Sequence, residues 1–385
     1  MHTWVAMPQL TEPHNLPPAP FTGPDSVLAG GTLRQTVHTS IGGDRLRVRF
    51  SNAFGGAALP LTAAAVALPA EGRAGVPGIR PGTSRPLTFG GHASTVVPVG
   101  AQVVSDPVDL PVAVRSNLTV TTFLAAGQQT LSLTSHPGSR TTSHLIHGDH
   151  HLATDLPGAT PVDHWYLLSG VEVPSAAPGL VIVGDSLTDG RGSTTNGNDR
   201  WPDQLQPRLP GVAVLNQAAG GNRVLDDGLG PSVLARLDRD VLALGGVRWL
   251  LLFEGVNDLG TAAATDAAQR RVTAELIAAY GQVVVRAQAR DLAVCGATIT
   301  PFGGNAGYDD PDGLRERSRQ EVNRWIRRGG AFDRVVDFDA AVRDPASLRR
   351  LAPAFDTGDG LHLNPAGYAA LAAAVPRSLA RLLPA

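Results

Sequence analysis

Residues Leu180-Val181-Ile182-Val183-Gly184-Asp185-Ser186-Leu187-Thr188 decide the fold of the second half of the chain. A short apolar run that ends in a glycine is typical of a strand buried on both faces of a parallel sheet. The turn after such a strand lies at the carboxyl edge of the sheet, where open α/β folds bind their ligands. We therefore expect Ser186 at the start of a helix, beside unpaired N–H groups, either as a reactive side chain or as a helix cap.

Four further apolar runs follow this strand and alternate with segments of helical period. The runs cover residues 212–215, 249–253, 292–299 and 335–338, and the clearest helical segment covers residues 262–289. Continuous apolar runs separated by helices are typical of a parallel sheet covered on both faces. The pattern predicts a three-layer α/β/α domain with a five-stranded parallel sheet.

The first half of the chain has the period of strands instead. Residues 45–50 alternate strictly between arginine and apolar side chains, which places three arginines on one face of a strand. Similar short runs lie at 61–68, 118–124, 131–133 and 165–173. This spacing predicts an antiparallel β-sandwich that resembles a jelly roll. The Pro/Ala-rich linker near residue 176 divides the chain into a β-domain, 1–175, and an α/β domain, 176–385.

Composition excludes several classes of protein. The formal net charge is −2 and only 17% of residues are charged, so no broad basic surface is present to bind nucleic acid. The single cysteine, Cys295, cannot form an internal disulfide and is expected in the core. No apolar stretch is long enough for an integral membrane segment, and the first ten residues have no signal-peptide pattern. We expect a soluble protein, either cytoplasmic as written or the mature form of a secreted one.

One histidine of the α/β half has a carboxylate at a useful spacing. Of the 11 histidines, only His362 follows the linker, and it stands three residues after Asp359. A serine needs a base to take its proton, and a carboxylate orients such a base and stabilises its cation. The alternative is a structural histidine at the surface. The pattern favours Ser186, His362 and Asp359 as a catalytic triad.

Two glycine- and asparagine-containing loops follow the second and third apolar runs. They are residues 216–222 and 255–258. Both belong at the carboxyl edge of the sheet, where a glycine N–H and an asparagine amide could stabilise an oxyanion. Each loop alone is also compatible with an ordinary turn.

These four segments, in this order, resemble the SGNH hydrolase superfamily, also called GDSL esterases and lipases. The matching blocks are Gly184-Asp185-Ser186, 216–222, Gly255-Val256-Asn257-Asp258 and Asp359-Gly360-Leu361-His362. The resemblance implies Ser186 as nucleophile, His362 as base and Asp359 as its orienting acid. It also implies the N–H groups of Ser186 and Gly221 and the side chain of Asn257 as oxyanion donors. Ala218 replaces the usual glycine of its block, so Gly220 and Gly221 both stay open as the backbone donor.

Further stretches resemble a subgroup of two-domain bacterial and fungal GDSL esterases with an N-terminal β-domain. They include Arg200-Trp201-Pro202 and residues 298–304. The resemblance implies a serine carboxylesterase that hydrolyses short- to medium-chain acyl esters without a cofactor. Its partner is a small-molecule ester, with carbohydrate or surface contact through the β-domain as an additional expectation. The α/β-hydrolase fold is disfavoured, because its serine lies in G-x-S-x-G and its acid and base come from separate loops.

Three alternatives use the same residues or the same domains differently. The triad would also serve a lysophospholipase or thioesterase, or an acyltransferase. A carbohydrate- or surface-binding protein dominated by its β-domain is a third class.

Several side chains outside the four blocks have two interpretations. Trp201 and Phe302 either line the substrate pocket or pack in the core, and Glu254 is expected to be a buried structural carboxylate. A polar loop contains His144, His147, His150 and His151 together with Asp149. Its spacing matches no recognised zinc pattern, so no metal site is predicted.

Overall fold

The computed structural model describes residues 1–381 and divides into two compact units. Unit 1 comprises residues 1–176 together with the short segment Thr195–Asn198. Unit 2 comprises residues 177–194 and the described residues from Asp199 onward.

Unit 1 consists of antiparallel strands, as its sequence period predicted. Two short 3-10 turns, Pro13–Asn15 and Ala70–Gly72, lie between them. The strands are β1 His2–Val5, β2 Gln9–Leu10, β3 Gly31–His38, β4 Gly43–Ser51, β5 Leu59–Leu61, β6 Ala63–Ala67, β7 Arg85–Pro86, β8 Thr95–Val97, β9 Gln102–Val104, β10 Val108–Val112, β11 Asn117–Leu124, β12 Thr134–His136, β13 Ser143–His147, β14 Thr160–Val162, β15 Trp165–Tyr166 and β16 Leu168–Glu172.

Two larger sheets account for most of these strands. One has the order β14-β13-β3-β11-β6-β7, and the other has the order β1-β16-β4-β10 with β9 also paired to β4. Smaller sheets pair β15-β12-β2 and β5-β8. Strand β4 shows why the alternating pattern matters: Leu46, Val48 and Phe50 are buried, whereas Arg45 and Arg47 are exposed. The predicted antiparallel β architecture is confirmed, and the jelly-roll connectivity stays a prediction.

One expected strand of unit 1 begins three residues later than its apolar run. Residues 131–133 are irregular, and strand β12 starts at Thr134. The Leu133 carbonyl instead accepts hydrogen bonds from the N–H and the hydroxyl of Thr11, at 2.8 and 2.7 Å. Leu133 is fully buried. Its apolar character therefore reflects packing in the core rather than membership of a strand.

Unit 2 contains the predicted five-stranded parallel sheet. Its order is β18-β17-β19-β20-β21, and all four pairings are parallel. The strands are β17 Gly179–Gly184, β18 Ala213–Asn216, β19 Val247–Phe253, β20 Ala293–Ala297 and β21 Arg334–Val336. Each lies within or overlaps one of the five apolar runs. The three-layer α/β/α architecture is confirmed.

Helices connect these strands, and a two-stranded antiparallel ribbon follows the last of them. The helices are α1 Ser186–Asp189, α2 Trp201–Leu205, α3 Val233–Leu237, α4 Val256–Thr261, α5 Asp266–Gln288, α6 Leu314–Arg328, α7 Phe338–Val342 and α8 Pro365–Ala374. The remaining elements are 3-10 turns at Gln206–Arg208 and Arg377–Arg381, a π turn at Asp238–Leu242, and strands β22 Arg343–Asp344 and β23 Ser347–Leu351. No helix of the described residues is long and apolar enough to cross a membrane.

The strand order positions the site. From β17 the chain passes to β18 on one side and later to β19 on the other, so the direction of winding reverses at β17. The loops that leave neighbouring strands diverge at such a point and open a crevice beyond their carboxyl ends. The turn after β17 therefore lies at this crevice, and its first two residues are Asp185 and Ser186.

A buried ion pair fixes α6 against α7 in this unit. The Arg319 guanidinium is fully buried and donates to Asp339 Oδ1 at 2.7 Å and to the Ile299 carbonyl at 3.0 Å. Glu316 accepts two further bonds from it, at 2.7 and 2.8 Å. Asp339 is also fully buried and receives a second arginine, Arg327, at 2.6 Å. Both charges are thus compensated by partners rather than by water.

We predict that Asp339→Ala destabilises the chain by about 3–5 kcal/mol, because it leaves the Arg319 charge buried without its innermost partner. Urea unfolding followed by tryptophan fluorescence would measure the change. Asp266→Ala is the matched control, since Asp266 pairs with Arg270 and Arg317 at the surface and its loss should change stability little. Equal losses in the two variants would contradict the prediction.

Candidate active site

Ser186 occupies the first position of a one-turn helix, α1, directly after strand β17. The Asp185 carboxylate caps this helix by accepting the Leu187 N–H at 2.9 Å. Gly184 is required because a side chain would not fit, and not because of its dihedral angles: a Cβ there would lie 2.4 Å from the Thr188 hydroxyl oxygen. The turn is thus tight, and the Ser186 side chain is largely buried at 7% exposure.

The structure brings Ser186, His362 and Asp359 together. Ser186 Oγ lies 2.9 Å from His362 Nε2, and His362 Nδ1 lies 2.6 Å from Asp359 Oδ2. The serine and the histidine are separated by 176 residues, so the fold alone creates their contact. The geometry allows the histidine ring to accept the serine proton on one nitrogen while the other is hydrogen-bonded to the carboxylate.

The Asp359 carboxylate is held in its ionised form. Partial burial raises its pKa, but hydrogen bonds from the His362 ring and from the N–H groups of His362 and Leu361 outweigh burial and lower the pKa to about 2. Oδ1 accepts those two N–H groups at 2.8 and 2.9 Å. The Thr357 hydroxyl lies 3.2 Å from the same oxygen. A carboxylate bound in this way orients the ring and favours the imidazolium.

The two glycines of the loop after β18 differ in whether their backbone N–H groups are hydrogen-bonded. The Gly220 N–H is donated to Asp189 Oδ2 at 3.1 Å. Gly221 has a φ of +70°, a conformation that favours glycine, and within residues 1–381 its N–H meets no acceptor. Of the two glycines that the sequence left open, the geometry therefore favours Gly221.

Asn257 is the second residue of α4, which follows β19, the neighbour of β17 on the side opposite β18. Its Nδ2 donates to the Asn222 carbonyl at 2.8 Å, and its Oδ1 accepts the Tyr308 hydroxyl at 2.6 Å. Since Nδ2 carries two hydrogens, one N–H remains to donate. Asn257 is 4% exposed, so that donor acts in a largely dry environment.

Apolar and aromatic side chains around the site have different exposures. Trp201 is fully buried, donates its ring N–H to the Thr188 hydroxyl at 3.1 Å and packs edge-on against Phe338. Phe302 is 1% exposed. The sequence left two roles open for Trp201 and Phe302, and their burial favours packing in the core over lining the substrate pocket. Leu229 also lies beside the site, but no sequence motif indicated it. It is 49% exposed and lies against Gly221, since a Cβ on Gly221 would come 2.6 Å from Leu229 Cδ1.

Two carboxyl groups meet beneath the serine turn. Asp185 and Glu254 extend from the neighbouring strands β17 and β19, are 1% and 2% exposed, and share a side-chain hydrogen bond. Burial raises the pKa of Asp185 to about 6 and that of Glu254 well above its usual value. No N–H or hydroxyl of the described residues donates to the Glu254 carboxyl. Glu254 is buried as expected, and burial together with the neighbouring Asp185 carboxyl favours its protonated form.

Other charged groups surround this pair. Asp258 accepts the N–H groups of Val224 and Leu225, and burial raises the pKa of its carboxyl group. The buried Arg236 guanidinium is the nearby cation: it donates to Asn222 Oδ1 and lowers the pKa of Glu254. The negative charges of Asp185 and Asp258 raise the pKa of Glu254. One proton shared by Asp185 and Glu254 therefore reduces the repulsion among these buried carboxyl groups.

We predict that Glu254→Gln makes the stability of the chain less dependent on pH. A carboxyl whose folded pKa is raised stabilises fully below its unfolded pKa, about 4.3, and this contribution is lost as the pH rises toward the folded pKa. Glutamine keeps an N–H donor for Asp185 and does not titrate. Calorimetry between pH 5 and 9 should show Tm falling less in the variant than in the wild type.

Glu275→Gln is the control for this experiment, because Glu275 lies at the surface beside Arg271. Its Tm should follow the wild-type curve at every pH. Parallel curves for Glu254→Gln and the wild type would refute the shared proton.

The histidine cluster of unit 1 does not lie wholly in a loop as expected, because strand β13 includes His144 and His147; the cluster has ordinary contacts. His144 Nε2 lies 3.0 Å from the Gly75 carbonyl, His147 stacks on Phe21, and the His151 ring contacts Asp149 at 2.5 Å. Within the described part of the chain, no three His, Cys, Asp or Glu side chains form a group that could hold a metal ion.

With fold and geometry established, comparison with known proteins identifies the class. Residues 182–370 match the GDSL-like Lipase/Acylhydrolase family, so this region of the chain is a GDSL-like acylhydrolase domain. The protein is thus a hydrolase that acts on esters. The comparison with curated proteins gave no significant match.

Solved structures resemble about half of the chain. A carbohydrate acetylesterase from Sinorhizobium meliloti is 17% identical over 53% of this chain and 99% of its own, with a TM-score of 0.41. An acetylxylan esterase from Geobacillus stearothermophilus is 22% identical over 51% of this chain and 91% of its own, with a TM-score of 0.38. An acylhydrolase from Bacteroides fragilis, itself described as putative, is 19% identical over 54% and 88%, with a TM-score of 0.40.

Proposed function

We propose that the protein is a serine carboxylesterase that uses Ser186, His362 and Asp359 as a catalytic triad. The observation that carries the proposal is the pair of contacts made by one histidine ring, 2.9 Å to the Ser186 hydroxyl and 2.6 Å to the Asp359 carboxylate. A serine hydroxyl with an oriented imidazole at hydrogen-bond distance is the arrangement that activates this nucleophile. The family assignment independently supports ester hydrolysis.

The reaction has two steps with one covalent intermediate. His362 removes the Ser186 proton as Oγ attacks the ester carbonyl, and the imidazolium then gives that proton to the departing alcohol. The acyl group is left on Ser186. Water next attacks the acyl carbon while His362 takes its proton, and the proton returns to Ser186 as the carboxylic acid leaves. Asp359 stays ionised throughout and stabilises the imidazolium.

The developing oxyanion is stabilised by three donors in this proposal. They are the N–H groups of Ser186 and Gly221 and the side-chain amide of Asn257. The engaged N–H of Gly220 supports Gly221 as the backbone donor. Each such donor contributes about 3–4 kcal/mol to lowering the barrier.

Short- to medium-chain acyl esters are the proposed substrates. Leu229, half exposed beside Gly221, provides apolar surface next to the reacting carbonyl. Burial of apolar area stabilises binding by roughly 25 cal/mol per Å², so one leucine supports a short acyl chain better than a long one. Trp201 and Phe302 add no exposed surface of this kind.

The triad and the proposed donors all lie in unit 2. We therefore propose residues 176–385 as the catalytic domain and residues 1–175 as an accessory domain. A binding role dominated by the β-domain gains little support from its surface. Sugar-binding sites stack sugars on exposed aromatic rings, and in the described residues every Trp, Tyr and Phe side chain is buried or only partly exposed.

We predict that Ser186→Ala lowers kcat for p-nitrophenyl acetate by on the order of 10⁴ or more, because removal of the nucleophile removes the acyl-enzyme route. Hydrolysis of p-nitrophenyl esters from acetate to palmitate would measure the change and the preferred chain length together. Ser318→Ala is the control, since that buried serine only donates to the Gln269 carbonyl. Activity of Ser186→Ala within a few-fold of the wild type would show the triad assignment to be wrong.

The same assay separates hydrolysis from acyl transfer, lysophospholipase and thioesterase activity. Added alcohol would divert the acyl-enzyme to a new ester in an acyltransferase, and the ratio of ester to acid measures that diversion. A carboxylesterase should yield mainly the acid. A preference for lysophospholipids or thioesters over simple esters would indicate a different substrate class for the same triad.

A further inference from the structure

We propose that Tyr308 is a positioning residue that aims the Asn257 amide at the oxyanion. The proposal rests on the oxyanion role of Asn257 proposed above. Tyr308 lies in the loop between β20 and α6 and belongs to none of the four sequence blocks. Its hydroxyl reaches the Asn257 side chain at 2.6 Å.

The orientation of the Asn257 amide is determined at both of its ends. The Asn222 carbonyl can only accept, so the atom 2.8 Å from it is Nδ2. Oδ1 then faces the Tyr308 hydroxyl, which donates to it. With Nδ2 and Oδ1 both held, the amide plane is fixed, and the second Nδ2 hydrogen has one direction. Without the hydroxyl, the amide is held at one end only and rotates about its terminal torsion, which has a broad energy minimum.

Tyr308 remains a donor over the working range of pH. Burial raises the pKa of its hydroxyl, and the negative charges of Asp185 and Asp258 act in the same direction. Arg223 and Arg315 act in the opposite direction without reversing the result. A phenolate at this position would face Oδ1 with two acceptors in contact. The protonated phenol is therefore the state that holds the amide.

The tyrosine ring is itself held in place. It lies over Gly260 of α4, where a Cβ would come 2.4 Å from the ring, and it meets Phe302 edge-on at 6.3 Å. The Tyr308 N–H is donated to Asn305 Oδ1 at 3.0 Å. Asn305 also donates to the Asp359 carbonyl at 2.9 Å. One short segment thus contacts both the proposed oxyanion donor and the loop that carries the acid and base.

The geometry implies a defined kinetic effect. An amide that has lost its orientation gives up part of its interaction with the transition state, whereas binding of the ground-state ester changes little. Tyr308→Phe keeps the ring that packs on Gly260 and removes only the hydroxyl. We expect kcat to fall roughly ten- to a hundredfold with KM unchanged within about twofold.

A double-mutant cycle on the full chain tests the inference, with p-nitrophenyl acetate as substrate. The enzymes are the wild type, Tyr308→Phe, Asn257→Ala and the double variant. If Tyr308 acts through Asn257, the double variant has the kcat of Asn257→Ala alone. If the two losses multiply, or if Tyr308→Phe has the wild-type kcat while Asn257→Ala is impaired, the inference is overturned.

Two further measurements separate this inference from its basis and from a purely structural role. A wild-type kcat for Asn257→Ala would overturn the proposed oxyanion role, whatever Tyr308→Phe does. Tyr166→Phe is the matched control in unit 1, because it removes a buried tyrosine hydroxyl that donates to the Asn15 carbonyl at 2.7 Å. It should leave kcat unchanged. An equal loss of kcat in Tyr166→Phe would attribute the effect to general destabilisation and overturn the inference.

Discussion

The reversal of winding at strand β17 is the constraint on which the site depends. A parallel sheet brings the carboxyl ends of its strands to one edge, and the reversal separates the loops that leave β18 and β19. Ser186 follows β17 at this gap, Gly221 follows β18 on one side and Asn257 follows β19 on the other. Three segments far apart in sequence thus meet without a dedicated scaffold. The helix that begins at Ser186 adds unpaired N–H groups at the same point.

Beneath this edge the structure replaces water by fixed polar contacts. The Arg236 guanidinium binds the Asn222 side chain, the Asn222 carbonyl accepts a hydrogen bond from Asn257, and the Asp185 and Glu254 carboxyl groups meet beneath the serine turn. Each of these side chains is at least nine-tenths buried, so an unmade bond would cost more than a made one contributes. Dipoles held in this way need not reorganise when charge develops above them, which is the usual origin of oxyanion stabilisation.

Much of this was accessible from the sequence because strand period and chain order are local signals. The five apolar runs gave the sheet, and the loops after them gave the neighbourhood of Ser186. The preference for Gly221 over Gly220 was not accessible, because it depends on a hydrogen bond from Gly220 to Asp189 in helix α1. The raised pKa of Glu254 depends in the same way on Asp185, which follows a neighbouring strand. Tyr308 stands in no motif, and only the folded chain brings its hydroxyl to Asn257.

The Asp359–His362 segment has a consequence for how such a site could arise and be transferred. Its carboxylate binds the ring and the backbone N–H of His362 within four consecutive residues, so acid and base form a preassembled cassette. Their mutual contacts are made within this segment, and Asn305 of a distant loop adds a hydrogen bond to the Asp359 carbonyl. Only one separation, that between this cassette and the nucleophile turn, must be set by the global fold. Such a segment could therefore be transferred between proteins as one unit, with only its distance from the serine to adjust. Where acid and base lie in separate segments, the distance between them must be adjusted as well.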